Sequence, residues 1–475
     1  MGRWVLLMAV FLAGAYTAPG RVDAQTSPGS TTGVSNAAPD PSTQDSPSWL
    51  FPVAKLDESL PSWLQFGGEY RNRYEGPSGI GFAQTRDFYL LDRLRVWVAI
   101  QPKKWLLFKG LVQDSRIFFN QHIPAANPYQ DTWTLWEGYG QVGSSTEGWV
   151  DVIGGRQVLQ FGDERVIGPS NWLNVGRTFN DVRVDLHHPG YVVRVLASAV
   201  VPGDNTYLHN ALHGNNLYGV YGSFTNVVPK ATLEPYVLWR VAPANSELSE
   251  EVGHGHLNEV TIGLHWKGDL PKNFDYDTEL DGQTGSLGER SISAWAGYAG
   301  LGKTFRSVAA SPRVFVEWNY ASGTKNPDGH TWTTFDQVYP SSHDKMGFAD
   351  LVGRRNVVHF RTGVEEEPSK KWKLKQQFES YWLATTADNL YSSSGTIAVA
   401  SHPGASSHVG NELDLVFEYF LTQGLSFGFG YAHMFAGQFL KTATPGYDYS
   451  YPYAYFEYNL SKSGFHFPIT PNKPN

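Results

Sequence analysis

An all-β, transmembrane antiparallel β-barrel is the fold this sequence predicts, and three observations carry it. Segments throughout the body alternate apolar with polar or charged side chains, aromatic residues recur at the segment ends, and the chain opens on an export signal. Composition agrees: of 475 residues 14% are aromatic, 49 are Gly and 16 are Trp, a mix that suits strands joined by many turns.

Other classes fall away on the same grounds. Apolar residues reach 41% and mean hydropathy is −0.33. No run of ~20 apolar residues follows the N-terminus, so a bundle of membrane helices is excluded. A barrel strand needs apolar side chains only at alternate positions and reads as mildly polar. The formal net charge of −8 argues against a nucleic-acid partner, which wants a basic face. The chain has no Cys, which removes disulfides, thiolate metal sites and Cys nucleophiles and suits an oxidising periplasm.

Residues 1–24 are expected to be a signal peptide. Arg3 gives the positive start, Trp4 to Ala18 the apolar run, and Val22-Asp23-Ala24 the cleavage site before Gln25. Residues 25–60 form an expected periplasmic leader, rich in Ser, Thr, Pro and Gly up to about Pro47 and too poor in large apolar residues to fold. Its end, with Trp49, Leu50, Phe51 and Leu56, admits either a short segment packed across the barrel mouth or a linker.

The barrel is assigned to residues 61–460. In the stretch 93–100, Leu94, Val96, Val98 and Ile100 share one face, and Arg93 and Arg95 share the other. In 181–187, Val182, Val184 and Leu186 oppose Asp181, Arg183, Asp185 and His187. The same division sets Thr261 and His265 against Ile262, Leu264 and Trp266, then Lys375, Gln377 and Glu379 against Leu374, Phe378 and Trp382, then Asp414 and Glu418 against Leu413, Leu415 and Phe417. A soluble β-sandwich also alternates; the aromatic ends and the export signal favour the membrane barrel. Trp105, Trp133, Trp149, Trp172, Trp239, Trp295, Trp372 and Tyr419 are assigned to interfacial girdles. Long polar connections are expected at 201–216, 243–258, 269–289, 323–352 and 389–407, as extracellular loops alternating with short periplasmic turns. Residues 461–475 are a C-terminal tail.

Several stretches occurring in order resemble the alginate export porin family. They are Gly155-Arg156-Gln157, Gly162-Asp163-Glu164-Arg165, Asn171-Trp172, Gly176-Arg177-Thr178-Phe179, Asp181-Val182-Arg183, Phe335-Asp336-Gln337, Tyr339-Pro340, Ala349-Asp350-Leu351-Val352-Gly353 and Gly410-Asn411-Glu412-Leu413-Asp414-Leu415. The resemblance covers Trp63 to Leu460 and implies an outer-membrane barrel of about eighteen strands with a charged lumen that passes a polyanionic sugar chain. It implies further that Arg156, Arg165, Arg177, Arg183, Asp163 and Asp181 line or brace the pore, and that the protein is a monomer. The tail after Leu460 departs from the family, which usually ends on an aromatic residue of the last strand.

The expected solute path is therefore Arg93, Arg95, Arg156, Arg165, Arg177, Asp181, Arg183 and Asp185. Guanidinium groups suit a polyuronate because a planar donor fork holds carboxylate in two bonds and never loses its charge. Carboxylates such as Asp181 and Asp185 orient the arginines and keep each site weak enough for exit. The bland alternative is that these pairs satisfy one another and water in a wide lumen. The expected partners are an anionic carbohydrate or other polar solute, outer-membrane lipid and the barrel-assembly machinery. Alternatives to this conduit are a general or small-anion porin of the same fold and a receptor or adhesin that binds through its loops.

No cofactor is implied and no enzymatic activity is expected, since no nucleophile elbow, phosphate-cradling Gly loop or zinc helix occurs in the required setting. The pairs His187-His188 and His254-Gly255-His256 lack a third ligand at fixed spacing, so no metal site is assigned. Glu365-Glu366-Glu367, before Pro368 and Lys370-Lys371, is read as a solvated charged turn.

Overall fold

The computed structural model describes residues 60–460, apart from 145–147, 202–213, 226, 245–254 and 423. The expected signal peptide, nearly all of the leader, the C-terminal tail and His254 lie outside the described residues.

Eighteen strands form the wall: β1 (Leu64–Glu75), β2 (Tyr89–Lys103), β3 (Leu106–Phe118), β4 (Asp131–Gly143), β5 (Val150–Gln157), β6 (Thr178–His188), β7 (Tyr191–Val201), β8 (Asn216–Thr225), β9 (Ala231–Ala242), β10 (Leu257–Leu270), β11 (Phe274–Leu287), β12 (Arg290–Thr304), β13 (Arg313–Ala321), β14 (Val357–Ser369), β15 (Trp372–Leu383), β16 (His408–Phe420), β17 (Leu425–Ala436) and β18 (Tyr449–Asn459). Each pairs antiparallel with its sequence neighbours. β1 pairs with both β2 and β18, so the sheet closes and has no open edge to leave unbonded in lipid.

The alternation resolves into an inner and an outer face. On β2 Arg93 and Arg95 point inward and are fully buried, whereas Val96 is 47% exposed on the outside. On β6 Val182 is exposed and Asp181, Arg183 and Asp185 are buried. His265, Glu379 and Asp414 are buried inward in the same way, and Ile262 and Leu264 face out.

Short turns close one end of the barrel, at 104–105, 189–190 and 370–371 among others, and long connections occupy the other, including 158–177, 322–356 and 384–407. The expected long connection at 269–289 is not one. Pro271–Asn273 makes a tight turn and β11 follows at once. Asp275, Asp277, Glu279 and Asp281 gave this stretch the composition of a loop, but they are the inward half of a strand whose outward half includes Tyr276 and Leu280. Glu365–Glu367 likewise belong to β14, and the turn is 370–371. Trp105, Trp149 and Trp372 mark the short-turn end and Trp133, Trp239 and Trp295 the outer wall nearer the long loops, all exposed. Trp172 departs from that set: it sits in the 158–177 connection, packed on inward-facing residues of the wall.

The 158–177 and 322–356 connections turn into the barrel. Phe161, Val166 and Ile167 of the first and Val338 and Tyr339 of the second form one buried cluster with Phe179, Leu196, Leu217, Tyr221, Tyr236 and Leu238 of the wall. The two connections also bond to each other as short parallel strands, Tyr339 N–H donating to Val166 O (2.9 Å) and Gly168 N–H to Tyr339 O (2.8 Å). Inside a lumen the backbone groups of a crossing loop still require partners, and this mutual pairing supplies them.

Candidate functional site in the lumen

The inner face of β1 reads Glu69, Arg71, Arg73, Glu75, and register brings it against β2 with Glu69 opposite Arg95 and Arg71 opposite Arg93. These guanidinium groups converge on residues 171–173, chiefly on their carbonyl oxygens. Arg71 donates from Nη1 to Asn171 O and from Nη2 to Trp172 O and Leu173 O, each at 3.0 Å. Arg93 Nη1 donates to Asn171 O at 2.9 Å, Arg73 Nη1 to Trp172 O at 2.5 Å, and Arg95 Nη1 to Asn171 Oδ1 at 2.7 Å. Glu69 pairs with Arg93, and Glu75 with Arg73. The Trp172 ring is held between the Arg73 guanidinium, 3.9 Å from the ring centre, and the His343 imidazole, stacked at 4.0 Å. Trp172 thereby joins the two inner connections to each other and to β1.

The same connection has a second anchor on another wall. Arg165 donates to Asp163 Oδ2 (2.7 Å), Glu317 Oε1 (2.8 Å) and Asn319 Oδ1 (2.8 Å), and its guanidinium lies 3.8 Å from the Tyr298 ring centre. Glu317 and Asn319 are on β13, which β14 to β18 separate from β1 on the shorter way round. The connection 158–177 is therefore a bar across the lumen. Burial opposes ionisation of Asp163, yet Arg165, with His265 and Lys345 behind it, holds its carboxyl well below the usual carboxylate range. Beside it, burial pushes Glu164 up.

The 322–356 connection is tied by the same chemistry. Arg354 donates to Glu279 (2.8 Å) and Asp281 (2.7 Å) of β11, Arg240 of β9 pairs with Asp336, and Lys375 of β15 reaches Asp344 at 2.5 Å. Glu317 pairs also with Arg361 at 2.7 Å, linking the anchors of both connections. His265 on β10 lies between Glu234 (2.6 Å) and Asp277 (2.7 Å) beneath Gly162.

The residues expected on the solute path fall into four places. Arg93 and Arg95 belong to the clamp on residues 171–173, where both are fully buried. Arg165 anchors the far end of the bar. Asp181, Arg183 and Asp185 line β6 as a separate patch, with Arg183 Nε 2.9 Å from Asp185 Oδ1, Arg194 at 3.9 Å from Asp185, and Ser198 bonded to Asp181. Arg177 stands where the two connections meet, donating to Gly168 O (3.2 Å) and Pro340 O (3.0 Å). Among the described residues it has no carboxylate within ion-pair distance. Burial, with Arg240 nearby, lowers its pKa to about 10, so it is a cation at neutral pH.

Arg156 is a correction. It follows Val152 and Gly154 on the outward parity of β5 and donates to Asn180 Oδ1 and Leu135 O, both at 3.0 Å, so it is not placed in the lumen. Arg71, Arg73, Arg240, Arg354 and Arg361 were missed by sequence reasoning. For Arg71 and Arg73 the signal was present, since they alternate with Asn72 and Tyr74 as Arg93 and Arg95 do with their neighbours.

A family model described as alginate export matches residues 62–452. The chain belongs to the alginate export family. Solved structures of similar fold are outer-membrane porin-type channels. A BenF-like porin from Pseudomonas fluorescens Pf-5 has TM-score 0.58 and 9% identity over 84% of this chain and 98% of that one. OpdQ of Pseudomonas aeruginosa has TM-score 0.57 and 11% identity over 84% and 97%, and OpdK of the same species, solved with vanillate, TM-score 0.55 and 10% identity over 84% and 98%. At such identities the likeness shows the fold alone. No curated protein matches the chain. Family and fold together make this alginate-export barrel an outer-membrane channel, of a kind with porins and not with enzymes.

Proposed function

We propose that the channel conducts an anionic carbohydrate or sugar acid, and that Arg177 is the group such a solute meets where the inner connections narrow the lumen. The observation that carries this reading is the state of Arg177. The clamp arginines are engaged by Glu69, Glu75 and the carbonyls of 171–173, and Arg165 by Asp163 and Glu317. Arg177 donates to neutral carbonyls and has no carboxylate within ion-pair distance among the described residues, so its charge is available to a passing carboxylate. The Tyr339 ring lies beneath it, its centre 5.5 Å from the guanidinium carbon. Membership of the alginate export family supports a polyuronate, and the pairing of Arg73, Arg93, Arg165, Arg354 and Arg361 with carboxylates supports weak sites from which a chain can leave.

A second reading, a porin for small anions or polar solutes, is favoured by that same pairing of the lumen arginines. OpdK with its bound vanillate, a small carboxylate, is a fold relative consistent with it. Proteoliposomes separate the two. Oligouronate efflux exceeding that of a neutral oligosaccharide of equal length, and falling in Arg177→Ala, supports the conduit; equal efflux of both supports the general porin. Monomeric function in outer-membrane lipid after insertion by the barrel-assembly machinery completes the proposal.

A further inference from the structure

The outer wall holds a feature unrelated to the lumen. On β1, β2 and β3 the outward side chains form rows fixed by register. Nearest the long loops stand Tyr74, Leu90 and Phe118, next come Asn72, Asp92 and Arg116, and then Tyr70, Leu94 and Asp114. Below them the wall turns apolar with Val96 and Val112, both exposed. A polar island is thus set between a row of two aromatic residues and a leucine above and an apolar band below. On other strands the outer wall toward the long loops carries Trp239, Trp295, Trp318, Phe360 and Phe435 instead.

The island is internally ordered and leaves one set of donors unused. Tyr70 OH donates to Asp92 Oδ2 (2.5 Å) and Asn72 Nδ2 to the same oxygen (3.3 Å). Arg116 Nε donates to Asp114 Oδ2 at 2.7 Å and its charge also faces the Asp92 carboxylate, while its two Nη groups make no hydrogen bond among the described residues. The Arg116 side chain is 42% exposed. Trp133 and Phe118 stand beside it, 56% and 42% exposed.

Height decides what such a group meets. Arg116 is eleven residues along the chain from Trp105 of the short-turn girdle. At ~3.3 Å per residue and a tilt of ~40°, that is about 28 Å up the wall. A membrane barrel's apolar band is about 25 Å tall, so Arg116 lies at its outer edge, where the outer leaflet's headgroups begin. A planar donor fork there matches phosphate, and flat exposed rings beside it match the C–H faces of a sugar.

We infer that the outward face of β1–β3 seats a phosphorylated glycolipid of the outer leaflet, with Arg116 holding the phosphate and Trp133 and Phe118 flanking the sugar. The seat is independent of what the lumen conducts. Asp92 turns one oxygen to Tyr70 and Asn72, and Asp114 holds Arg116 from its Nε side, so the two Nη groups remain for the phosphate.

The test uses the purified full-length protein, delipidated and then titrated with purified lipopolysaccharide or with phosphatidylglycerol vesicles, with bound lipid counted by native mass spectrometry. Heat-modifiable gel mobility verifies that each variant is folded. The expected result is one retained lipopolysaccharide, bound at least tenfold more weakly by Arg116→Ala, partly restored in Arg116→Lys, and weakened in Trp133→Ala, with single-channel conductance unchanged throughout. Equal retention by folded Arg116→Ala overturns the seat, and so does phosphatidylglycerol binding as tightly as lipopolysaccharide. A protein dimer that Arg116→Ala abolishes also overturns it, by making the island an interface between copies. Should Arg116→Ala not fold, Arg116→Lys and Trp133→Ala decide on the same readout.

Discussion

Replacing Arg71 by Ala releases the bar at its tip. The guanidinium makes three bonds of 3.0 Å to the carbonyls of Asn171, Trp172 and Leu173, and no other residue is placed to take all three. Hydrogen bonds with a charged partner contribute ~1.5–3 kcal/mol each. One guanidinium shares its charge among them, and Arg73, Arg93 and Arg95 still hold the segment, so a net loss of about 3 kcal/mol is reasonable. At ~1.4 kcal/mol per factor of ten, the ratio of bound to released tip falls by about 10²-fold. Single-channel recording in planar bilayers reads the consequence as a larger and noisier conductance. Hydrogen exchange reads it directly, as faster exchange in residues 165–175 with the wall strands unchanged. Unaltered conductance together with unaltered exchange would refute the reasoning, because the clamp would then not be what holds the bar across the lumen.

Other expectations follow from the same contacts. Trp172→Ala removes a ring held between Arg73 and His343 and should loosen both inner connections by ~3–5 kcal/mol, visible as protease cleavage within 322–356 of the otherwise intact barrel. Asp163 has a folded-state pKa below its ordinary value, so the stability it lends the bar is present above the ordinary carboxylate range and is lost only as pH falls through the depressed value. Conductance should accordingly show no Asp163-dependent opening between pH 5 and 8, and an opening in that window absent from Asp163→Asn would contradict the assignment. Glu164 has the opposite sign: its raised pKa makes its charge a cost that grows as pH rises past the ordinary carboxylate value. Glu164→Gln should therefore slow exchange in the bar at pH 7 and have little effect at pH 4. Leu280, 63% exposed on the outward face of β11, faces lipid; Leu280→Arg should cost ~2–4 kcal/mol in equilibrium folding into bilayers if it lies near the midplane.

Much of the wall was legible because its period is two and its two solvents differ. Arg93 and Arg95 opposite Val96, and Asp181, Arg183 and Asp185 opposite Val182, could be sorted into faces without any tertiary information. The rule failed where composition was allowed to overrule it. β11 carries four carboxylates on its inward face and so has the composition of a loop, although Tyr276 and Leu280 hold the outward positions. Arg156 was placed in the lumen by likeness to the family, while its own strand, through Val152 and Gly154, puts it outside. What the sequence could not convey is the recognition of backbone by side chain. Arg71 meets carbonyls about a hundred residues away, and a carbonyl has no residue-type signature. Trp172 was assigned to a girdle for that reason: an aromatic residue in a polar loop looks the same whether its ring meets lipid or, as here, Arg73 and His343.

If Arg177 gives the lumen its preference for anions, as proposed, the reversal potential under a salt gradient depends on it. The wild-type channel in a planar bilayer should be anion-selective and blocked by added oligouronate. Arg177→Ala should lose most of both properties, Arg177→Lys should keep the selectivity with weaker block, and Arg156→Ala should behave as wild type. A reversal potential and block identical in wild type and Arg177→Ala would contradict the account.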